Sequence, residues 1–434
     1  MRISAALFCL AGLAPAAVAQ EAPLSAIDWL SEGVAAQGGD GTAAAEPSVG
    51  GGATVEEITV TPLGETSPDA VGLLPASITG LPRDLWGGTP SDELAEAIGG
   101  LTGGLMPAPR DLLFTLLLAE LDPPADSDPS DKLFLARVDA LMALGAVDQA
   151  QALLERAGAG DARSFRRYFD AALLTGADDA ACRRLATAPD LAPGFAARIF
   201  CLARNGDYAA ASVTLETARV LGAVTGAEDA ALARFLDPEL FEGVPPLPAP
   251  ARPDPLLFRV HEAIGESLPT AALPLAFAQA DLRSNAGWKA QIEAAERLAR
   301  SGAVDGNRLL GLYTERRPPA SGGLWDRVAA VQRFDRALAA PDPGAVAAAL
   351  PEAWQAMGEA GLRPVFARFY AEKLQGTALP GNAATIAFEI GLLSDGYETA
   401  AAAHAPADAR DRFLKALALC GAAGVEDRNG AVQG

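Results

Sequence analysis

Cysteines are the side chains in this chain best suited to covalent chemistry, and three of the four lie beyond the first twenty residues. Cys182 falls in one predicted helix and Cys201 in the next, which begins near Pro193. Since the chain reverses near Asp190, antiparallel packing of the two helices places the thiols opposite each other. We therefore predict a Cys182–Cys201 disulfide, which closes a loop of about 20 residues and contributes roughly 3 kcal/mol; two unrelated buried thiols are the alternative. Cys420 is left over, either as a buried thiol or for an intermolecular bridge.

The acid–base side chains form no recognisable catalytic pattern. His261 and His404 are far apart in the sequence and belong to no His-Glu-x-x-His motif, so we expect both to be structural or surface residues. Nucleophile elbows, phosphate-binding loops, dinucleotide-binding fingerprints and C-x-x-C pairs are also missing from the sequence. We therefore predict no cofactor, no metal site and no enzymatic activity. Paired carboxylates keep one alternative open, since glycoside cleavage needs only two acids at a suitable separation.

One dipeptide bears on that alternative. Glu266-Ser267 resembles the catalytic start of the soluble lytic transglycosylases, which are periplasmic and carry a long α-superhelical domain. In that family a Gly-Leu-Met-Gln-like stretch follows, and the present chain lacks it. The resemblance implies a helical architecture shared in kind. Glu266 is then the residue on which a carboxylate-dependent cell-wall hydrolase or lyase would depend.

A Pro/Gly-rich segment between two predicted helices carries the residue types that dominate binding hot spots. It contains Tyr313, Arg316, Arg317 and Trp325. Because loops positioned by rigid helices often carry function, we predict that these residues form a binding surface. The alternative is a long connection whose Trp325 covers the core of the following helix.

The elements that position these residues are predicted to be helices. Half of the residues are apolar, mostly Ala and Leu, while only 6% are aromatic, a composition that favours an all-α fold. Short turns at Gly145, Gly206 and Gly302 join successive helical patterns, which must then lie antiparallel. These turns resemble those of tetratricopeptide-type repeats, although their spacing is irregular. We predict an irregular α-solenoid of stacked helical hairpins.

The N-terminal quarter differs in composition from the rest. Arg2, an apolar run and small residues up to Ala19 predict a secretory signal peptide, residues 1–19. Residues 20–110 are rich in Gly, Ala, Pro, Ser and Thr, which predicts a low-complexity, largely disordered lead. Within it, segment 71–86 is too apolar for a linker, and its prolines and glycines argue against a helix. We expect it to dock on the protein's own helices or, alternatively, on a partner, through Leu73, Leu74, Leu81 and Trp86.

A proline-rich stretch divides the rest of the chain. Residues 241–255 predict a semi-rigid polyproline connector. It separates a first helical block, 111–240, from a second, 256–420, and a flexible tail follows at 421–434.

The charge balance limits the partners. A formal net charge of −21 repels phosphate backbones and anionic lipids, so we predict no binding to nucleic acid. No apolar run beyond the signal peptide is long enough to predict a membrane span.

Several short motifs carry a resemblance over most of the chain: Ile58–Pro62, Gly72–Pro75, Gly80–Pro82, Leu85–Gly87 and the Tyr313–Trp325 segment. Together they resemble a group of secreted, Ala-rich alphaproteobacterial helical proteins, some automatically labelled antifreeze glycopeptide polyprotein. The resemblance implies secretion and brings no biochemical function with it. The chain lacks Ala-Ala-Thr tandem repeats, which disfavours ice or solute protection. We therefore expect a periplasmic, non-enzymatic scaffold or adaptor that binds an envelope protein.

Overall fold

The computed structural model describes residues 67–101, 103–340 and 342–430, with side chains up to residue 419. This part of the chain is all α-helical, as the composition predicted, and contains no β-strand. The helices are α1 (Ala76–Thr79), α2 (Ser91–Gly100), α3 (Pro107–Leu118), α4 (Lys132–Ala143), α5 (Val147–Ala157), α6 (Ala162–Thr175), α7 (Asp178–Thr187), α8 (Phe195–Arg204), α9 (Tyr208–Leu221), α10 (Gly226–Leu236), α11 (Pro255–Ala263), α12 (Trp288–Ser301), α13 (Gly306–Glu315), α14 (Leu324–Ala339), α15 (Pro343–Glu359), α16 (Arg363–Leu374), α17 (Gly381–Leu392), α18 (Tyr397–Ala403) and α19 (Ala409–Gly430). Short 3₁₀ turns occur at Pro68–Ala70, Pro189–Leu191, Glu239–Phe241 and Thr270–Ala272, and a longer 3₁₀ segment at Leu275–Leu282.

Some of the sequence predictions fall outside the described residues. These are the signal peptide, residues 1–19, the lead up to residue 66, and the side chain of Cys420. In the first part of the predicted flexible tail, from residue 421, the backbone of α19 continues to Gly430. Alanine, which favours helix, recurs in that stretch.

One kind of turn ends helix after helix. A glycine with φ between +63° and +91° follows the last turn, and the next amide N–H donates to the carbonyl five residues earlier. This pair of features is the Schellman arrangement, which satisfies carbonyls that the helix end leaves free. At Gly145 the packing also requires glycine, since an added Cβ would lie 2.5 Å from Leu298 Cδ2. The turn recurs at Gly145, Gly176, Gly206, Gly222, Gly265, Gly302 and Gly361.

The sequence predicted that residues 241–255 separate two helical blocks, but the hydrophobic core divides at α12 instead. One cluster of buried residues extends from Trp86 through α10 and includes Leu256, Leu257 and Val260 of α11. A second cluster extends from α12 to α17. The proline-rich connector therefore does not separate two cores, because α11 returns to pack against α6 and α10. The apolar face of α11 is buried in the first core, and this burial favours the return of the chain to that core after the connector.

The segment that we predicted to dock does so on the protein's own helices. We call residues 67–86 the N-terminal strap. The amides of Leu73 and Leu74 donate to the carbonyl of Leu118 at 2.7 and 2.9 Å, and the amide of Glu120 donates to Leu74 at 2.8 Å. Leu73 and Leu81 are partly buried against the first core, and Trp86 belongs to it. Backbone pairing thus adds to apolar contact in holding the strap.

Two expectations for this region are wrong. Prolines and glycines did not exclude all helix from 71–86, since α1 forms between Pro75 and Gly80. The lead is also folded over its described parts, 67–101 and 103–110, where α2 and the start of α3 lie. Ser91 explains the start of α2, because its amide and hydroxyl both donate to the carboxylate of Asp126. These contacts join residues that are far apart in the sequence, so the composition of the lead does not reveal them.

A fully buried arginine of α4 joins the strap to α3. Arg137 Nε and Nη2 donate to the carbonyls of Leu117 and Ala119 at 2.9 and 2.8 Å. Its Nη1 donates to the carbonyls of Val71 and Asp69 at 2.8 and 3.2 Å. Burial lowers the pKa of Arg137 to about 10, against the opposing effect of the Asp69 charge. Four backbone carbonyls therefore accept the hydrogen bonds that water would accept from an exposed guanidinium.

Candidate functional site

The structure corrects the position of the aromatic residue at the start of the predicted binding surface. Tyr313 lies in α13 and is fully buried, not on an exposed loop. Its hydroxyl donates to Glu296 Oε1 of α12 at 2.6 Å. The helix continues through Tyr313 because the prolines begin only at Pro318, beyond its last turn. Tyr313 is therefore a structural residue of the second core.

The Tyr313 hydroxyl lies beside the ion pair of Glu296 and Arg327. Arg327 of α14 donates through Nε and Nη2 to the two carboxylate oxygens of Glu296, each at 2.8 Å. Burial raises the pKa of Tyr313 well above its ordinary value, and the negative charge of Glu296 adds to that rise. The phenol consequently stays protonated and acts as a donor. Glu296, Tyr313 and Arg327 together fix α12, α13 and α14 to one another.

The exposed part of the predicted surface is the connection between α13 and α14. We call residues 316–323 the binding loop, after the binding surface that we predicted from the sequence. Gln332 Nε2 donates to the carbonyls of Tyr313 and Arg316 at 2.7 and 2.6 Å, and Asp326 accepts from the amide of Gly322 at 2.9 Å. These contacts hold both ends of the loop on the helices that flank it.

Two arginines of the binding loop face solvent. Arg316 pairs with its neighbour Glu315, with the Nη2 to Oε1 distance at 2.7 Å. Arg317 is exposed and forms no hydrogen bond or ion pair through its side chain with any residue that the structure describes. The loop therefore presents at least one guanidinium that no described carboxylate neutralises.

Trp325 covers part of the second core, which is one of the two interpretations that the sequence left open. It is partly buried against the second core, and its ring lies 5.0 Å from the ring of Trp288. Trp288 is itself fixed, since its indole N–H donates to the carbonyl of Leu312 at 2.9 Å. Trp325 thus covers the core while part of its ring remains accessible beside the start of α14.

The predicted cysteine pair is confirmed. The Sγ atoms of Cys182 and Cys201 are 1.99 Å apart and their Cα atoms 4.9 Å apart. Cys182 lies in α7 and Cys201 in α8, and both are buried in the first core. The disulfide therefore joins consecutive helices across the 3₁₀ turn at Pro189–Leu191.

Both histidines have structural environments. The ring of His404 stacks on Phe388 with centroids 3.7 Å apart, and its Nε2 lies 3.0 Å from Asp411 Oδ2. His261 is buried in α11, and burial lowers its pKa, so the ring stays neutral at neutral pH. The His261 ring lies near Glu266, whose charge and backbone hydrogen bond oppose that lowering of the pKa.

Glu266, the residue on which the hydrolase alternative depends, is engaged through both oxygens. Oε1 accepts from Arg234 Nη1 at 2.5 Å, and Oε2 accepts from the amide of Leu247 at 2.8 Å. These contacts tie the connector to α10. The neighbouring cavity of about 280 Å³ has Glu266 as the one acid in its lining. This geometry fits a structural carboxylate and adds no support to carboxylate catalysis.

Comparison with known proteins finds no match that bears on these observations. No protein-family model matches the chain, and no curated protein or solved structure matches it either. Within the described ranges, no helix is both long and apolar enough to cross a membrane. The same residues bring together no group of three His, Cys, Asp or Glu side chains that suits a metal ion.

Sequence reasoning missed the residues that organise the site. Glu296 and Arg327 lie 17 and 14 residues from Tyr313, on different helices. Gln332 is a further helical turn along α14. A signal was present for Glu296, which stands among the alanines and leucines of the buried face of α12. A charged residue at such a position needs a partner.

Proposed function

We propose that the protein is exported to the periplasm and acts as a non-enzymatic helical scaffold that binds an envelope protein. The binding loop, with Arg316, Arg317 and the accessible edge of Trp325, is the surface on which we expect contact. The irregular solenoid predicted from the sequence is part of this proposal, because stacked helical hairpins present extended surfaces.

One observation supports the proposal above the others: the binding loop is held at both ends while its arginines stay exposed. Gln332 and Asp326 fix the backbone of the loop, so little conformational entropy is lost when a partner binds. Arginine and tryptophan are the residue types that concentrate binding energy. In a protein with a net charge of −21, a cationic loop favours an acidic patch on the partner.

Crosslinking in intact cells, followed by mass spectrometry of the captured proteins, tests the proposal. We expect one reproducible envelope partner, and we expect the double variant Arg316→Gln/Arg317→Gln to reduce its capture about tenfold or more. Arg252→Gln/Arg412→Gln is the matched control, because both arginines are exposed and form no ion pair with a described residue. Equal capture by both double variants would exclude the binding loop.

Export has its own test. N-terminal sequencing of the protein recovered from cells should begin at Gln20, after cleavage behind Ala19. Thiol labelling of the same sample should find Cys182 and Cys201 oxidised, because disulfides persist in the periplasm. An uncleaved chain in the cytosol with both thiols free would contradict the proposed compartment.

A further inference from the structure

An open cavity of about 560 Å³ lies beside α6, and no residue discussed for the binding loop contributes to it. One face of α6 supplies much of its lining, because residues three and four apart project from the same side of a helix. Asp139 comes from α4, and the segment before α8 closes another side. The lining consists of Asp139, Ala162, Arg163, Arg166, Arg167, Asp170, Ala192 and Pro193.

Two of the three arginines in the lining are fixed by partners. Arg167 donates to both carboxylate oxygens of Asp139, each at 2.6 Å. Arg163 donates to the backbone carbonyls of Ser130 and Pro129 at 2.7 and 2.8 Å. Their guanidinium groups are therefore already in place before any ligand binds, with Arg163 also 3.5 Å from Asp161.

Arg166 differs from its neighbours on the same face. Its side chain is exposed and forms no hydrogen bond or ion pair with a residue in the described ranges. Unlike other exposed arginines without an ion pair, such as Arg252, Arg317 and Arg412, Arg166 lines this cavity. Arg166 has all of its donors available to an incoming group.

Asp170 adds a second group without a protein partner. Its carboxyl is partly buried in the cavity and accepts no hydrogen bond from a described residue. Burial, and after it the charge of Asp254, raises the pKa of Asp170 to about 7, while Arg166 and Arg167 oppose the rise and Asp139 adds to it. Near neutral pH the group is therefore protonated in part and can donate as well as accept.

We propose that this cavity binds a small molecule through an oxyanion, a carboxylate or a phosphate, which pairs with Arg166 and hydrogen-bonds to Asp170. Asp139 offsets the charge of Arg167 and Asp161 that of Arg163, which leaves the positive charge of Arg166 beside a carboxyl that is protonated in part. Arginine presents a planar fork that matches both oxyanions. The volume lies in the range of small-molecule sites, and Ala162, Ala192 and Pro193 leave apolar room beside the charged side chains. This proposal is independent of the scaffold function.

Isothermal titration of the full-length protein with inorganic phosphate and, separately, with succinate tests the site. We expect at least one probe to bind, and Arg166→Gln to weaken that binding about tenfold or more, because a charge-assisted hydrogen bond is lost. Arg412→Gln, which removes an exposed arginine of α19, should leave affinity unchanged. Since Arg166 forms no hydrogen bond or ion pair with a described residue, its variant should melt at the wild-type temperature below about pH 6, where Asp170 is protonated.

A second variant isolates Asp170. Asp170→Asn keeps a neutral donor in place, so it should bind succinate at about pH 8 more tightly than the wild type does. The wild-type affinity should fall as the pH rises from about 6.5 to 8.5, and the fall should be absent in Asp170→Asn. Binding of neither probe at millimolar concentration, or equal weakening by Arg166→Gln and Arg412→Gln, would overturn the proposal. Retention of the pH effect in Asp170→Asn would refute the role of Asp170.

Discussion

Replacing Arg137 with methionine should release the N-terminal strap and destabilise the fold. Methionine keeps the length of the side chain and loses every donor. The change leaves the carbonyls of Leu117, Ala119, Val71 and Asp69 without the hydrogen bonds that they accept at 2.8 to 3.2 Å. Because the site is fully buried, water does not replace those bonds at once.

The size of the effect follows from the burial. Each buried acceptor left without a hydrogen bond costs about 1–3 kcal/mol, so the loss of four such bonds outweighs the relief of no longer burying a charge and leaves a net cost of about 3 kcal/mol or more. Whole domains are stable by only about 5–15 kcal/mol, so the strap should detach before the helices unfold. A local loss of about 3 kcal/mol raises the exchange rate of the strap amides about 100-fold or more.

Hydrogen exchange and urea unfolding measure the two parts of this effect. The amides of Leu73, Leu74 and Glu120 should lose protection in Arg137→Met, and trypsin should cut faster after Arg83, an exposed residue of the strap. Arg137→Lys should show an intermediate loss, since an ammonium group cannot reach four acceptors in that arrangement.

Arg156→Met is the matched control. Arg156 pairs with Glu120 at 3.1 Å on the surface, where more than half of its side chain is exposed, so its loss should cost less than about 1 kcal/mol. The reasoning would be refuted if Arg137→Met unfolded within about 1 kcal/mol of the wild type and kept the strap amides protected.

Three further changes have expected outcomes. Asp170→Asn should remove a stability loss of about 2–3 kcal/mol that the wild type suffers between about pH 5 and pH 8, because a raised pKa of about 7 makes ionisation of Asp170 costly in the folded state; urea titrations at both pH values check this. Gly145→Ala should cost about 2–4 kcal/mol in the same assay, since the backbone is left-handed and Leu298 leaves no room, whereas Gly222→Ala, in open space, should cost about 1 kcal/mol. Replacing Cys182 and Cys201 with serine should lower stability by about 3 kcal/mol and abolish the response of the melting temperature to reductant, which an unchanged response would contradict.

Local patterns in the sequence were enough to predict the disulfide. The positions of Cys182 and Cys201 relative to the reversal of the chain depend only on two adjacent helices and the turn between them. Helical periodicity and the glycine at each helix end carry that information without any knowledge of distant contacts. The all-α class followed from composition in the same way.

Tyr313 shows where local patterns fail. Its neighbours in sequence, two arginines and two prolines, belong to an exposed loop, while the residue itself is buried and donates to the carboxylate of Glu296. Its partners Glu296 and Arg327 come from other helices, so no window around Tyr313 contains them. Whether a tyrosine in such a segment is buried or exposed depends on tertiary packing, which the local composition does not reveal.

Glycine content misled the prediction for the lead in another way. The glycines of a low-complexity segment suggest disorder, yet Gly72 is required for order. A Cβ at Gly72 would lie 2.2 Å from the amide nitrogen of Glu120, so only glycine allows the strap to approach the end of α3. Arg137 gave a clearer signal, since it stands four residues from both Leu133 and Leu141 on the buried face of α4.

The hydrogen bonds from Arg137 to the strap can form only after both segments have been synthesised. The carbonyl of Asp69 and the guanidinium that it accepts from are 68 residues apart in the chain. At a translation rate of 5–20 residues per second, the strap emerges roughly 3–14 s before its buried arginine does. During that interval the amides of Leu73 and Leu74 have no Arg137-bound surface to pair with. The nascent strap is therefore open to other binding partners, such as a chaperone, until α4 has left the ribosome.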